Sequence, residues 1–444
     1  MIEVKNTNFQ TFEQDIRELL SAFFPGDRAS FSVDIDKIME PHMSMLTGLR
    51  FEDKSTVKRA LYDYLSAETG KTLPWGTLTG IKPVRLAEKY PDLGILKEKF
   101  RISEEKARLI LGIADRENKL LSCIDRENGY SMYIGIPFCP TRCLYCSFTS
   151  NPISRYADRV DEYLSCLEKE IKGLKTPETL YIGGGTPTAL NAMELEKLMK
   201  LIHNNLEMDK VKEFTVEAGR PDSITEDKLK VLKDYGVERI SINPQTMNEK
   251  TLKLIGRAHT PAQCIEAFEM ARSAGFDNIN TDLIMGLPGE TLDDVSYTLS
   301  EIEKLHPESL TVHALAVKRS ARLSTDYDPW SDYERAEGDE VGEMISMGRE
   351  CAERLGMVPY YLYRQKNIAG NQENTGYAVP GKECLYNIIM MEEKQAVVGL
   401  GAGSTTKLNS KDRNENVKDL KTYFERIDEM VEKRNIFLNG RLLY

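Results

Sequence analysis

From about residue 129 onward, short apolar runs alternate with segments whose apolar positions recur three and four apart. The runs fall at residues 133–136, 179–182, 214–216, 239–242, 278–284 and 309–315, and their strand character predicts six β-strands. Between them, residues 155–174, 193–206, 225–235, 261–274 and 292–305 carry the helical period. Strands separated by whole helices pair in parallel, because a crossover leaves no room for a hairpin. Six such units fall short of a closed eight-unit barrel and predict a partial (β/α)6 barrel, an α/β fold. Functional residues then belong at the C-terminal ends of the strands.

The flanks read differently. Residues 1–125 predict a mainly helical accessory domain, with amphipathic helices at 55–66 and 103–115. Ser103 opens the second helix, and Glu105 in its first turn suits the helix dipole. Leu73-Pro74-Trp75-Gly76 and residues 80–83 break the pattern between them, and Trp75 reads as a packing anchor. After a barrel at 126–325, residues 326–444 predict an α+β extension on the substrate side. It has helices at 331–354 and 417–433, a tyrosine-rich segment at 360–363, a loop at 370–381, and a strand running into glycines at 395–406.

Charge and length then narrow the classes. The chain has 444 residues, enough for a core without disulfide staples, and a net charge of −11 from 59 basic and 70 acidic residues. That balance argues against a broad nucleic-acid face. No apolar run approaches the ~18 residues of a membrane span. The opening MIEVKNTNFQ lacks the pattern of a signal peptide, so the expected location is the cytoplasm.

Eight cysteines therefore need an explanation other than disulfides. Cys123, Cys166, Cys264 and Cys351 are scattered and read as packing. Cys139, Cys143 and Cys146 form a C-x3-C-x2-C cluster immediately after the first strand. Three thiolates on one loop can ligate three irons of a cubane and leave the fourth open, where Fe–S clusters usually take four cysteines. A zinc site with a ligand from elsewhere and a structural four-cysteine cluster are the competing readings. Cys384, on a polar loop, is a candidate active-site thiol that could approach the open face of the barrel.

The stretch Y-x-G-I-P-F-C-x-x-x-C-x-Y-C-x-F at 133–148 resembles the cluster loop of radical S-adenosylmethionine (SAM) enzymes, and more narrowly the oxygen-independent coproporphyrinogen III oxidase family. The resemblance continues through GGGTPT at 183–188, FTVEA at 214–218, ISINPQ at 240–245, GRAH at 256–259 and DLIMGLP at 282–288. A weaker match lies at 399–404, and the overall plan is most like the HemZ-type branch. This resemblance implies a radical-SAM barrel holding a [4Fe–4S] cluster on Cys139, Cys143 and Cys146. It also implies one or two SAM molecules lined by Tyr133, Tyr145, Gly184, Gly185, Thr186, Glu217, Gln245, Arg257, Asp282 and Ala316.

The implied reaction generates a 5′-deoxyadenosyl radical and decarboxylates coproporphyrinogen III to protoporphyrinogen IX in heme biosynthesis. Its alternatives are a heme chaperone with a SAM/[4Fe–4S] site and a radical SAM methyltransferase acting on heme. The implied partners are a porphyrinogen or heme-type tetrapyrrole and a low-potential electron donor such as flavodoxin or ferredoxin. A tetra-carboxylate substrate needs cations, for which Lys318, Arg319, Arg322, Arg364 and Lys366 are candidates. Three positions depart from the family pattern. Phe148 replaces a further cysteine, Gly135 replaces a histidine, and residues 383–387 replace the chaperones' His-Asn-x-x-Tyr-Trp segment.

Overall fold

The computed structural model describes residues 2–6, 8–24, 31–45, 54–80, 82–316, 338–365 and 372–443. Six strands follow one another in space as in sequence: β1 (Tyr130–Ile136), β2 (Thr179–Gly184), β3 (Glu213–Gly219), β4 (Arg239–Ile242), β5 (Ile279–Met285) and β6 (Ser309–Ala314). Each pairs in parallel with the next. The crossover helices Val160–Ile171, Ala192–Asn205, Glu226–Asp234, Pro261–Ser273 and Leu292–Leu305 fall where the helical period places them. Three of them open on reciprocal capping boxes, at Asn191, Thr260 and Thr291.

The register explains the sequence pattern. Leu180, Ile182, Phe214, Val216, Ile240, Ile242, Leu310 and Val312 share one buried face, matching the buried stripes of the helices. The opposite face is polar: Ser131, Tyr133, Thr179, Tyr181, Glu213, Thr215, Glu217, Arg239, Ser241, Asn280, Asp282, Ser309, Thr311 and His313 all project to it. Strands β1, β2 and β3 run longer than their apolar runs, whereas β4 matches its run, β5 is shifted by one residue and β6 is shorter by one.

The expected third domain is not a separate body. Strands β7 (Val358–Tyr363) and β8 (Asn374–Ala378) extend the sheet beyond β6, with β8 antiparallel to it. Strand β9 (Ala396–Leu400) pairs in parallel with β1, and β10 (Thr405–Lys407) and β11 (Arg413–Glu415) complete an eleven-stranded sheet. The barrel strands thus gain partners at both edges, which satisfies backbone groups that an isolated six-strand sheet would expose. The expected helix at 417–433 is instead two, Leu420–Glu425 and Ile427–Leu438, and that at 331–354 is described only as Gly338–Arg354.

The chain divides into two compact units, Met1–Arg116 with Leu362–Glu373, and Glu117–Tyr361 with Asn374–Tyr444. The first boundary therefore falls nearer residue 116 than 125. In the first unit, helices Glu13–Phe23 and Lys54–Thr69 bury Leu19, Leu20, Phe23, Val57, Leu61 and Leu65 together. A second core gathers Trp75, Val84, Leu96, Ile110, Ile113 and Leu362. Trp75 is fully buried, and its Nε1 donates to Glu373 at 2.9 Å, while Lys106 Nζ bonds the same carboxylate at 2.5 Å. Arg364 is buried too, its guanidinium 5.3 Å from the Trp75 ring and donating to the Leu78 carbonyl at 2.6 Å. It is a structural cation of this core, not an exposed substrate contact. Lys318, Arg319, Arg322 and Lys366 lie outside the described residues.

Candidate active site at the cysteine loop

The loop that leaves β1 carries the three clustered cysteines and is tied to β2 by backbone. Gly185 N donates to the Ile136 carbonyl at 2.8 Å and Thr186 N to the Phe138 carbonyl at 2.7 Å. Gly185 permits this approach, because a Cβ there would lie 2.4 Å from the Phe138 oxygen. Farther round the loop, Leu144 N bonds the Ile255 carbonyl at 3.0 Å.

Each sulfur has a different neighbour. Cys139 Sγ lies 3.5 Å from Thr186 Oγ1, and Cys146 Sγ lies 4.0 Å from Ser150 Oγ. Cys143 Sγ receives two guanidiniums, Arg257 Nη1 at 3.9 Å and Arg220 Nη1 at 4.0 Å. Burial pushes the Cys139 thiol up to about 11 and raises that of Cys146. Metal binding must therefore displace protons from these groups. Among the described residues, no three Cys, His, Asp or Glu side chains converge on a single-ion site.

A support lies behind the loop. Tyr163 donates its hydroxyl to the Gly135 carbonyl at 2.6 Å and accepts from Ala402 N at 3.2 Å. Gly401, at φ +95°, stands where a Cβ would meet the Gly135 oxygen at 2.5 Å. Its N–H bonds the buried carboxylate of Glu170, which also accepts from Asn416 and Tyr423. The segment at 399–404 thus braces the strand that carries the cysteines.

The other expected residues lie on the strands and in the loops beyond them. Tyr133, Tyr181 and Tyr386 stack, with centroids 4.5 to 6.3 Å apart, and Tyr181 donates to Glu217 at 2.6 Å. Arg257 donates to Tyr145 Oη at 3.0 Å and to the Asn243 carbonyl, and its buried Nε has no partner among the described residues. Gln245 adopts φ +73° and forms a lone bridge to Leu283. Burial acts against the charge of Asp282, but hydrogen bonds from His313 and Asn280 hold its carboxyl below the usual range. Ala316 is half-buried two residues beyond β6, and Gly184 ends β2 beside the Tyr133 hydroxyl. Tyr145 packs with Ile255, Ile284, Leu287 and Leu315 in a small apolar cluster.

Two expectations about thiols are corrected. Cys384 does not reach the open face. It is fully buried and donates to Glu213 Oε1 at 3.3 Å, at the N-terminal end of β3 and so opposite the cysteine loop. The Glu213 carboxylate also takes the N–H groups of Leu385 and Tyr386, which explains why a polar loop is drawn inside. Cys123 is exposed, whereas Cys166, Cys264 and Cys351 are buried as expected. Sequence reasoning missed Arg220 and His313. The signals were available, a basic residue beside a proline just past a strand and a histidine on the polar face of β6.

A family model described as the radical SAM superfamily matches residues 133–302. The oxygen-independent coproporphyrinogen-III oxidase-like protein HemZ of Bacillus subtilis is 41% identical over 425 residues, covering 90% of this chain and 84% of that protein. The chain belongs to the HemZ-like branch of the radical SAM superfamily. Its cofactors are accordingly a [4Fe–4S] cluster and SAM. Among other relatives of this radical SAM protein, heme chaperone HemW of B. subtilis is 41% identical over 195 residues, or 42% of this chain and 51% of that one. The Escherichia coli oxygen-independent coproporphyrinogen III oxidase is 27% identical over 70% of this chain and 69% of its own. The structure of that E. coli oxidase (HemN) superposes with a TM-score of 0.56 at 24% identity, covering 71% of this chain and 73% of that one. Among the described residues, no helix is long and apolar enough to cross a membrane.

The residues present fit the radical SAM cofactors. The donor set is three thiols on one loop, the chain approaches closely enough at Gly185 that only glycine fits, and a buried guanidinium keeps one nitrogen unsatisfied. Glu217 adds a titratable group. Burial, with Asp282 nearby, pushes its carboxyl up to about 7, against hydrogen bonds from Tyr181 and Gly184. Between the ordinary carboxylate value and about 7, the folded chain keeps a proton that the unfolded chain has lost, so stability falls as pH rises through that window. Glu217→Gln is expected to flatten this slope. The midpoint of thermal unfolding of the cluster-free variant, compared with wild type between pH 5 and 8, checks it; parallel curves would refute the assignment.

Proposed function

We propose that this chain is a radical SAM oxidoreductase acting on a tetrapyrrole, by oxygen-independent oxidative decarboxylation of coproporphyrinogen III to protoporphyrinogen IX. The observation that carries the reading is the three-thiol loop bonded to the glycine-rich end of β2, with two buried guanidiniums at its middle sulfur. Cys139, Cys143 and Cys146 would hold the cluster and leave one iron for the amino and carboxylate groups of SAM. When bound, these cofactors supply one-electron cleavage of SAM and abstraction of a hydrogen atom from the substrate.

The chain's own residues bind and orient. Arg257 offers its unsatisfied nitrogen to a carboxylate, and Glu217 accepts from an ammonium group or a hydroxyl. Gln245 and Asp282 suit ribose hydroxyls or amines, Tyr133 and the apolar cluster around Tyr145 wall the site against water, and Gly184, Thr186 and Ala316 complete its lining. Phe148 is 65% exposed where the oxidases carry a further cysteine, which supports one SAM rather than two. Each propionate loses a hydrogen atom, an electron and carbon dioxide, so an electron acceptor is required alongside the low-potential donor.

A second reading, a heme chaperone that keeps the cluster and SAM, is favoured by the 41% identity shared with heme chaperone HemW over 195 residues. Anaerobic incubation of the reconstituted protein with coproporphyrinogen III, SAM and reduced flavodoxin separates the two. Products lighter by one and two carbon dioxide units, with two hydrogens lost alongside each, are the expected result. SAM cleavage without tetrapyrrole conversion sinks the substrate assignment, and stoichiometric heme uptake with transfer to an apo-acceptor establishes the chaperone instead.

A further inference from the structure

Arg220 lies one residue beyond β3, at the head of the short turn Pro221–Ser223, and its side chain is only 4% exposed. A buried guanidinium cannot shed its charge and must be paired by geometry. Asp222 provides the pairing as a fork, with Nε to Oδ1 at 2.9 Å and Nη2 to Oδ2 at 2.6 Å. This leaves Nη1 aimed at the cysteine loop. It donates to Thr141 Oγ1 at 2.7 Å, to the Thr141 carbonyl at 3.0 Å and toward Cys143 Sγ at 4.0 Å. One side chain therefore grips both the backbone and the sulfur of the loop.

The three sulfurs differ in their direct partners. Cys139 and Cys146 have the hydroxyls of Thr186 and Ser150 beside them and feel Arg220 and Arg142 through space, while guanidinium nitrogens of Arg220 and Arg257 reach Cys143 itself. His259 adds no positive charge, since burial and the neighbouring Arg257 hold its imidazole down at about 3. Positive charge and hydrogen bonds at a ligating sulfur favour the reduced, more negative state of an iron–sulfur cluster.

We propose that Arg220 is a positioning residue for the iron–sulfur centre: oriented by Asp222, it pins the loop at Thr141 and raises the cluster's reduction potential through Cys143. The assignment rests on the reading of the three clustered cysteines as cluster ligands. Arg257 shares the sulfur but is engaged with Tyr145 and Asn243, so it cannot replace the Thr141 anchor.

The test is a redox titration of the reconstituted SAM-free protein, followed by electron paramagnetic resonance, on Arg220→Gln and Asp222→Asn. Losing the guanidinium should lower the ratio of reduced to oxidised cluster at a fixed potential about tenfold, the size of one charge-assisted hydrogen bond. For one electron that is a shift of about 59 mV to more negative potential. Asp222→Asn removes a negative charge while keeping Arg220, so its shift must be positive. A purely structural role predicts no such opposition of sign. Unchanged midpoints at full iron content, or shifts of the same sign, overturn the proposal. If Arg220→Gln fails to hold iron, the sign for Asp222→Asn decides alone. Full iron in Cys143→Ala would instead overturn the ligand reading beneath it.

Discussion

Cys143→Ala is expected to abolish the brown chromophore of the anaerobically reconstituted protein and reduce SAM cleavage to the background of cluster-free chain. The substitution removes the middle of three proposed ligands and leaves Arg257 and Arg220 facing an empty position, so two buried cations lose a partner at once. No other thiol is poised to substitute. Cys384 lies at the opposite end of the strands, and Cys166, Cys264 and Cys351 are buried elsewhere. Cys384→Ala therefore serves as the control and should retain wild-type iron and sulfide. Equal iron content in the two variants would remove the distinction between ligand and filler.

Gly185→Ala should have the next largest effect. Its new methyl would sit 2.4 Å from the Phe138 oxygen and 2.8 Å from the Ile136 oxygen, both backbone atoms with no side-chain freedom to yield. Relief requires parting β2 from the cysteine loop, at the cost of the bonds from Gly185 N and Thr186 N. The expected loss is about 3 kcal/mol of stability, at the upper end for overpacking in a close-packed interior. SAM cleavage should fall further than stability, because the displaced segment also carries Thr186 beside Cys139. Chemical denaturation of the cluster-free chain measures the first effect and SAM cleavage in the folded range the second. Wild-type values in both would show that the loop does not depend on this contact.

The barrel was legible because each strand has one aliphatic face that a covered parallel sheet must bury, as at Leu180 and Ile182 or Ile240 and Ile242. The strand ends were less legible, since Glu213 and Gly219 belong to β3 but carry no strand signal of their own. The pairing of β9 with β1 joins residues more than 260 positions apart and leaves no local trace. The cysteine loop stood out by its C-x3-C-x2-C spacing after a strand, its reading as a cluster site came with the resemblance, and its environment was not legible. Arg220 comes from the end of β3 and Arg257 from the loop after helix Glu249–Leu254, and only the folded chain brings them to one sulfur. Cys384 was misplaced because a stretch rich in Gly, Asn and Glu reads as exposed, and the carboxylate that draws it inward is 171 residues away.

The helical unit is completed by Leu362–Glu373, a segment made long after residues 1–116. Until Glu373 leaves the ribosome, Trp75 Nε1 and Lys106 lack their carboxylate partner, and the Trp75 ring lacks Arg364. At roughly 5–20 residues per second, the delay between Arg116 and Glu373 is on the order of tens of seconds. Residues 1–116 are thus completed as a unit only after the segment Leu362–Glu373 has been made. The same arrangement means that no single cut frees either unit. A deletion of the first 116 residues would strand Arg364 and Glu373 as two uncovered charges in a protein that no longer has a use for them.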